Sequence, residues 1–157
     1  MTGLYYEDWQ IGEVIRHDIR RTVTETDNLL ITTLTMNPQP LHLDAEFGKK
    51  SMYGERIVNS IFTLGLTVGI PVSDTTLGTI LGNLAFEETS FPNPVKIGDT
   101  LRVETEAIEK RLSSSRPGTG IVRTIHRAFT QDELLVCNCR RAALFSIRPT
   151  DTEAEPA

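Results

Sequence analysis

The stretch "RIVNSIFTLGLTVGIPV", Arg56 to Val72, decides how the rest of the chain must fold. Read at helical spacing it is apolar on nearly every side, with the small residues Ser60, Gly65 and Gly69 interspersed. A helix that is apolar all round is a buried helix, and glycines on its surface let other backbone approach closely. Pro71 lacks the N–H that would continue the ladder, so the helix is expected to end there. What buries this helix must come from its flanks.

Downstream the hydrophobic period changes to two. "GTILGNLAFEETSF" reads as one strand, and "FPNPVKIGD" as a connection dense in Pro, Gly and Asp. "DTLRVETEAIEKRL" sets Leu101, Val103, Thr105 and Ala107 against Arg102, Glu104 and Glu106, the alternation of a strand with one wet face. After the turn "SSSRPGTG" come "IVRTIHRAFTQ" and "LLVCNCRRAALFSI", joined by "TQDE" as a hairpin. Upstream, "GEVIRHDIRRTV", Gly12 to Val23, reads as a strand. Thr24 then opens a helix, with Asp27 completing an approximate capping box and Leu30 and Leu34 forming an apolar face. That helix should stop near Asn37, because Pro38 and Pro40 cannot continue it. "LDAEFGKKS" fits a short helix with Asp44 near its start and Gly48 near its end.

The resulting order is strand, helix, short helix, buried helix, then four long antiparallel strands. A long sheet beside one apolar helix must wrap it. The expected class is α+β: a single hot-dog domain over residues 1–149, a long antiparallel sheet around a buried central helix, with a disordered acidic tail at 150–157. One such domain covers only part of its sheet and helix, so a homodimer or higher homo-oligomer is expected.

Composition narrows the function classes. The 157 residues suffice for one core without disulfides or metal, and 39% hydrophobic with 24% charged residues is ordinary for a soluble protein. The net charge is −5, and no Lys/Arg cluster reaches the density that phosphate neutralisation needs, so no nucleic acid is expected. Arg20, Arg123, Arg127, Arg140 and Arg141 read as solvated strand faces. "MTGLYYEDWQIGEV" is not a signal peptide, and no window approaches the roughly 18 apolar residues of a membrane span. Cys137 and Cys139 would share one strand face as small packing residues; with only three scattered histidines no metal site is expected, and a reducing cytoplasm is implied. "GTGIV" lacks the spacing of a dinucleotide fingerprint or a P-loop.

Taken together, "TVTETD", "NPQPLHLDAEF", "RIVNSIFTLGL", "FPNPVKIGDTLRVETEAIEKR" and "SRPGTGIV" resemble, in this order and spacing, the MaoC-like (R)-specific enoyl-CoA hydratase/dehydratase family of hot-dog proteins. The likeness covers nearly the whole chain, and "SRPGTGIV" is most similar to the mesaconyl-CoA and itaconyl-CoA hydratase-like subgroup. The resemblance implies an acyl-CoA substrate, here a branched C5-dicarboxyl one, and no cofactor beyond the coenzyme A of the substrate. It places the acid/base histidine at His42. The family string Asp, any residue, Asn, Pro, any residue, His falls on Asn37 to His42, so Asn37 stands where the acid is usual and Gln39 where the Asn is. The family's oxyanion donor, a backbone N–H at the start of the central helix, falls on Ser60, with Asn59 before it.

Each of these residues also has a plainer reading. His42 can titrate near neutral pH, or can simply satisfy backbone carbonyls. Asn37 can position a water by donating and accepting, or can be the left-handed cap of the first helix. Asp44 can orient the His42 ring or cap the short helix after it. Asn59 and Ser60 can cap the buried helix as well as present a donor. Arg116 can meet a coenzyme A phosphate or remain a solvated loop arginine. Two other functions fit the same fold: a hot-dog acyl-CoA thioesterase, and a non-catalytic acyl-CoA-binding or partner subunit, for which Asn37 is the main argument.

Overall fold

The computed structural model describes residues 3–149; the tail expected to be disordered, 150–157, lies outside the described residues. After a 3-10 turn at Tyr6–Asp8 the elements are β1 (Val14–Arg16), β2 (Arg21–Thr22), α1 (Glu25–Leu34), α2 (Pro40–Leu43), α3 (Ala45–Lys50), α4 (Ser60–Gly69), α5 (Val72–Thr75), β3 (Ile80–Ser90), β4 (Thr100–Leu112), β5 (Thr119–Phe129) and β6 (Leu135–Ser146). The strands pair in the order β1-β4-β5-β6-β3, with β2 also on β4, every pair antiparallel. The four long strands are the expected ones, and the sheet curls round α4 in the hot-dog arrangement.

Register explains the core. Opposite residues share a face, so Val103, Ala128 and Cys137 form one row and Thr105, His126 and Cys139 the next. α4 lies on this face, where Phe62, Leu64, Leu66 and Ile70 pack against Val103, Ala128, Val136, Cys137 and Cys139. Both cysteines are packing residues, and burial pushes their thiols above the ordinary range. A second cluster joins Trp9, Ala107, Val122, Ala143 and Phe145, with the Trp9 and Phe145 rings edge to face at 5.3 Å. On the opposite face Arg123 bridges Glu87 and Glu109, and Arg127 meets Glu106.

Three local expectations are corrected. The strand over Gly12 to Val23 is broken: His17 turns inward between β1 and β2. α1 does open on Thr24 with the Asp27 box, but its apolar side faces out, Leu30 being 55% and Leu34 78% exposed. Its buried residues are Asn28 and Thr32, one turn apart on the inner face. As expected of one such domain, α4 is only partly covered by its own chain, with Ile61, Gly65 and Gly69 exposed along one side. Arg141 is not solvated: it is 9% exposed and points inward, its Nε donating to Asn83 Oδ1 at 2.7 Å. Edge strand β3 carries register irregularities between Ile80 and Gly82, Asn83 and Ala85, and Phe86 and Glu88.

A polar chain crosses the core between the two apolar clusters. Asp74 Oδ2 lies 2.8 Å from His17 Nδ1, and Thr105 Oγ1 lies 2.8 Å from both His17 Nε2 and His126 Nδ1. His126 Nε2 is 3.0 Å from Thr124 Oγ1. With both rings neutral every bond has one donor and one acceptor, so the chain is satisfied without charge at His126. Burial, with Arg141 and His17 nearby, pushes the His126 pKa down from 6.5 to about 3. A depressed histidine destabilises the fold on acidification, because between these two values the unfolded chain binds the extra proton. Stability should therefore be full above pH 6.5 and fall by roughly 1.4 kcal/mol per pH unit below it, before carboxylates titrate. Urea unfolding of the wild type between pH 7 and about 5 should show this slope, and His126→Gln should flatten it.

Candidate active site

The segment from α1 to α4 is built by caps. Thr24 Oγ1 accepts from the Asp27 N–H at 3.2 Å, and the Thr24 N–H donates to Asp27 Oδ2 at 2.8 Å. Partial burial raises the Asp27 pKa, but the Thr24 N–H and hydroxyl and the Arg21 guanidinium outweigh it and hold it below the usual range. At the other end Met36, not Asn37, takes the left-handed conformation, with φ 53°. The Met36 N–H bonds Thr33 O and the Asn37 N–H bonds Thr32 O, each at 3.0 Å, the pair of bonds of a Schellman stop. This frees the Asn37 side chain, whose Oδ1 accepts from the Gln39 N–H at 3.0 Å and turns the chain toward Pro40. Pro40 then opens α2 at its first position, a placement that costs no hydrogen bond.

His42 sits half-buried in the last turn of α2. Its Nδ1 lies 2.9 Å from the carbonyl oxygen of Ile57. A carbonyl only accepts, so Nδ1–H donates, and the neutral ring carries its lone pair on Nε2. Leu41 O accepts from the Ile57 N–H at 3.3 Å, which lays α2 along the segment leading into α4. Gly48 in α3 touches the same segment: a Cβ there would lie 2.6 Å from Arg56 N, so only glycine lets α3 come this close.

α4 starts three residues beyond Ile57. Asn59 caps it, its Oδ1 accepting from the Ile61 N–H at 3.0 Å, while Phe62 and Thr63 N–H both turn back to Asn59 O. This leaves the Ser60 N–H as the unpaired donor of the first turn among the described residues, at the positive end of the helix dipole. Ser60 is exposed and lines a cleft of about 430 Å³, together with Tyr53, Ile57, Thr63, Phe91 and Asn93. His42 stands one residue behind this wall, held by Ile57.

The structure thus brings His42, Asn59 and Ser60 together around Ile57, with Asn37 five residues before His42 in the link into α2. Asp44 does not join them. Its Oδ1 accepts from the Glu46 and Phe47 N–H groups at 2.9 and 3.1 Å, capping α3, while the His42 nitrogen it would have oriented is taken by Ile57. Arg116 is exposed in the β4–β5 turn, at the opposite end of β5 from the cleft, roughly 30 Å of strand away. It does not line this cleft. Asn28, Thr32 and Ile57 escape a reading from sequence alone. The available signal was the spacing of Asn28 and Thr32, four apart on one helix face.

The chain belongs to the MaoC like domain family, which it matches over residues 8–128. It is 29% identical to a mesaconyl-CoA hydratase of Cereibacter sphaeroides over 97% of its own length, but spans only 43% of that protein. More generally it spans less than two thirds of the curated relatives it matches. Among solved structures it superposes on the monoamine oxidase regulatory protein of Archaeoglobus fulgius at TM-score 0.83 and 31% identity, covering 95% of this chain and 98% of that one. The MaoC-like dehydratase of Rhodospirillum rubrum gives TM-score 0.82 and 28% identity over 94% of this chain and all of that one.

Asp44→Ala should lower stability by about 1 kcal/mol, and Asp44→Asn by much less, since Asn caps as well. Neither change should move the His42 ring proton off Nδ1, as read by ¹⁵N NMR of the neutral ring.

Proposed function

We propose that this chain is an acyl-CoA hydratase/dehydratase, adding water reversibly across the double bond of a 2-enoyl-CoA thioester. One observation carries the reading: an imidazole whose Nδ1 is tied to Ile57 O, leaving Nε2 to act, beside a helix N-terminus whose Ser60 N–H opens on a cleft. Hydration needs a base for water, a proton for the α-carbon and a donor for the thioester oxygen. His42 Nε2 takes a proton from water as its oxygen bonds the β-carbon. The π electrons move onto the thioester oxygen, where the Ser60 N–H and the helix dipole stabilise them. The imidazolium then returns the proton to the α-carbon. Atoms balance as enoyl thioester plus water, and no electron is exchanged, so the reaction calls on no cofactor beyond substrate coenzyme A.

Asn37 cannot take a proton. With Oδ1 engaged by Gln39, its Nδ2 is the group that can hold the water, so proton transfer rests on His42 alone. The finer substrate reading, a branched C5-dicarboxyl thioester such as mesaconyl- or itaconyl-CoA, is supported by the mesaconyl-CoA hydratase relative. A homo-oligomer is supported by the open side of α4 and by Leu81, Leu84 and Phe86, exposed on edge strand β3.

A second reading is favoured by Asn37 itself. Without a carboxylate in the loop, the cleft would serve a thioesterase or a subunit that binds acyl-CoA without turning it over. A panel of enoyl-CoA thioesters, C5-dicarboxyl ones included, separates the readings. A gain of one water without free thiol supports hydration, free thiol supports the thioesterase, and binding without turnover supports the non-catalytic subunit. His42→Ala should lower hydration by about 10²- to 10⁴-fold while leaving the cooperative melting transition in place. Full activity of this variant would overturn the assignment.

A further inference from the structure

Asn28 is fully buried on the inner face of α1, and its two amide ends face opposite ways. Its Nδ2 donates to the carbonyl of His42 at 3.0 Å, and its Oδ1 accepts from the N–H of Asn59 at 2.9 Å. One turn on, Thr32 Oγ1 accepts from Asn59 Nδ2 at 3.3 Å. Nothing in helix formation asks for this arrangement. Leu29 and Leu30 lie beside Asn28 in sequence, yet both stay on the wet side. The polar pair holds the interior position that a hydrophobic helix face would normally fill.

We propose that Asn28 is a positioning residue, a clamp that fixes the His42 loop against the N-terminus of α4 and so sets the separation of the imidazole Nε2 from the Ser60 N–H. This rests on the hydratase reading for its catalytic meaning, though not for its geometry. His42 and Ser60 are 18 positions apart in the chain, and a single side chain ties His42 to Asn59, the residue before Ser60. The Ile57 carbonyl orients the ring, while Asn28 holds the backbone that carries the ring. The chemistry of the clamp is specific. One end must donate and the other accept, at the reach of one methylene. A leucine does neither. A glutamine is one methylene too long, and an ionised aspartate presents an acceptor to the His42 carbonyl. A neutral carboxyl group satisfies both ends, its O–H donating and its other oxygen accepting.

That last property gives the test a readout that simple stabilisation would not move. The titratable groups on the elements around the clamp are Glu25 and Asp27 on α1, paired with Arg56 and Arg21, His42 on α2, and Asp44 at the start of α3. The wild type measured at each pH controls for them. Hydration of trans-2-butenoyl-CoA and of mesaconyl-CoA is followed for wild type, Asn28→Leu and Asn28→Asp. In parallel, ¹⁵N spectra of the histidine rings are recorded without substrate, with His42 assigned through His42→Gln.

Asn28→Leu should lower kcat by about 10- to 100-fold with KM changed by less than about threefold, because misplacement by an ångström acts on the transition state. Asn28→Asp should approach wild type at low pH. It should gain a limb of falling kcat, absent from wild type, as the buried carboxyl ionises. In wild-type spectra the neutral His42 ring should carry its proton on Nδ1; in Asn28→Leu it should become a mixture of tautomers. A cooperatively folded Asn28→Leu with wild-type kcat and wild-type His42 signals overturns the clamp. If that variant does not fold, an Asn28→Asp profile identical in shape to wild type overturns it equally. A wild type that turns over neither thioester, with His42 tautomers still altered in the variant, supports the clamp and overturns the hydratase reading.

Discussion

The free N–H groups at the start of α4 set the constraint that the rest of the structure obeys. A helix leaves its first donors unpaired, and burying them without partners costs about 1–3 kcal/mol each. This chain places that end at the bottom of a connection, against α1 and the 91–95 loop, where water is partly excluded. Partners are supplied for all but one of the donors. Asn59 takes Ile61, Asn28 takes Asn59, and the carbonyl of Asn59 takes Phe62 and Thr63. Ser60 is the residue left over, and it lines the cleft.

From that constraint follows the odd character of α1. Its inner face must be polar to serve the end of α4, so its leucines are displaced outward. Its own C-terminal stop, with Met36 left-handed, then releases the Asn37 side chain to shape the turn into α2. Gly48 lets α3 press on the Arg56 backbone, and Ile57 becomes the point where ring, loop and helix meet. The site is thus a product of hydrogen bonds between neighbouring elements, with the sheet acting as the floor beneath them.

This division explains what could be read from the residues alone. The strands β3 to β6 and the sheet wrapped on α4 follow from period-two alternation beside an apolar helix, signals that burial imposes directly on composition. The caps at Thr24 and the stop before Pro38 were legible for the same reason: each is a local rule. The inward turn of His17, the burial of Arg141 and the inverted face of α1 were not. In each case a polar residue is buried because a specific distant group satisfies it, and hydropathy assigns it to the surface. For the site, His42 and Ser60 were placed by likeness to a family motif. The roles of Asn28 and Ile57 required coordinates, because they rest on contacts 14 to 31 positions apart.

The irregular ladder of β3 carries a consequence for the protein before it meets any other copy. An open edge of 11 residues bearing Leu81, Leu84 and Phe86 would, if flat, be a template for indiscriminate strand addition and for aggregates. Its three breaks in register twist and kink the strand every few residues, so that no long run of free N–H and C=O groups stays in line. Glu88 adds an exposed charge at the same place. An ordinary extended peptide cannot match such an edge, whereas a surface bent to the same contour can. A strand kinked in this way is a poorer template for random chain-to-chain pairing than a flat edge of the same length.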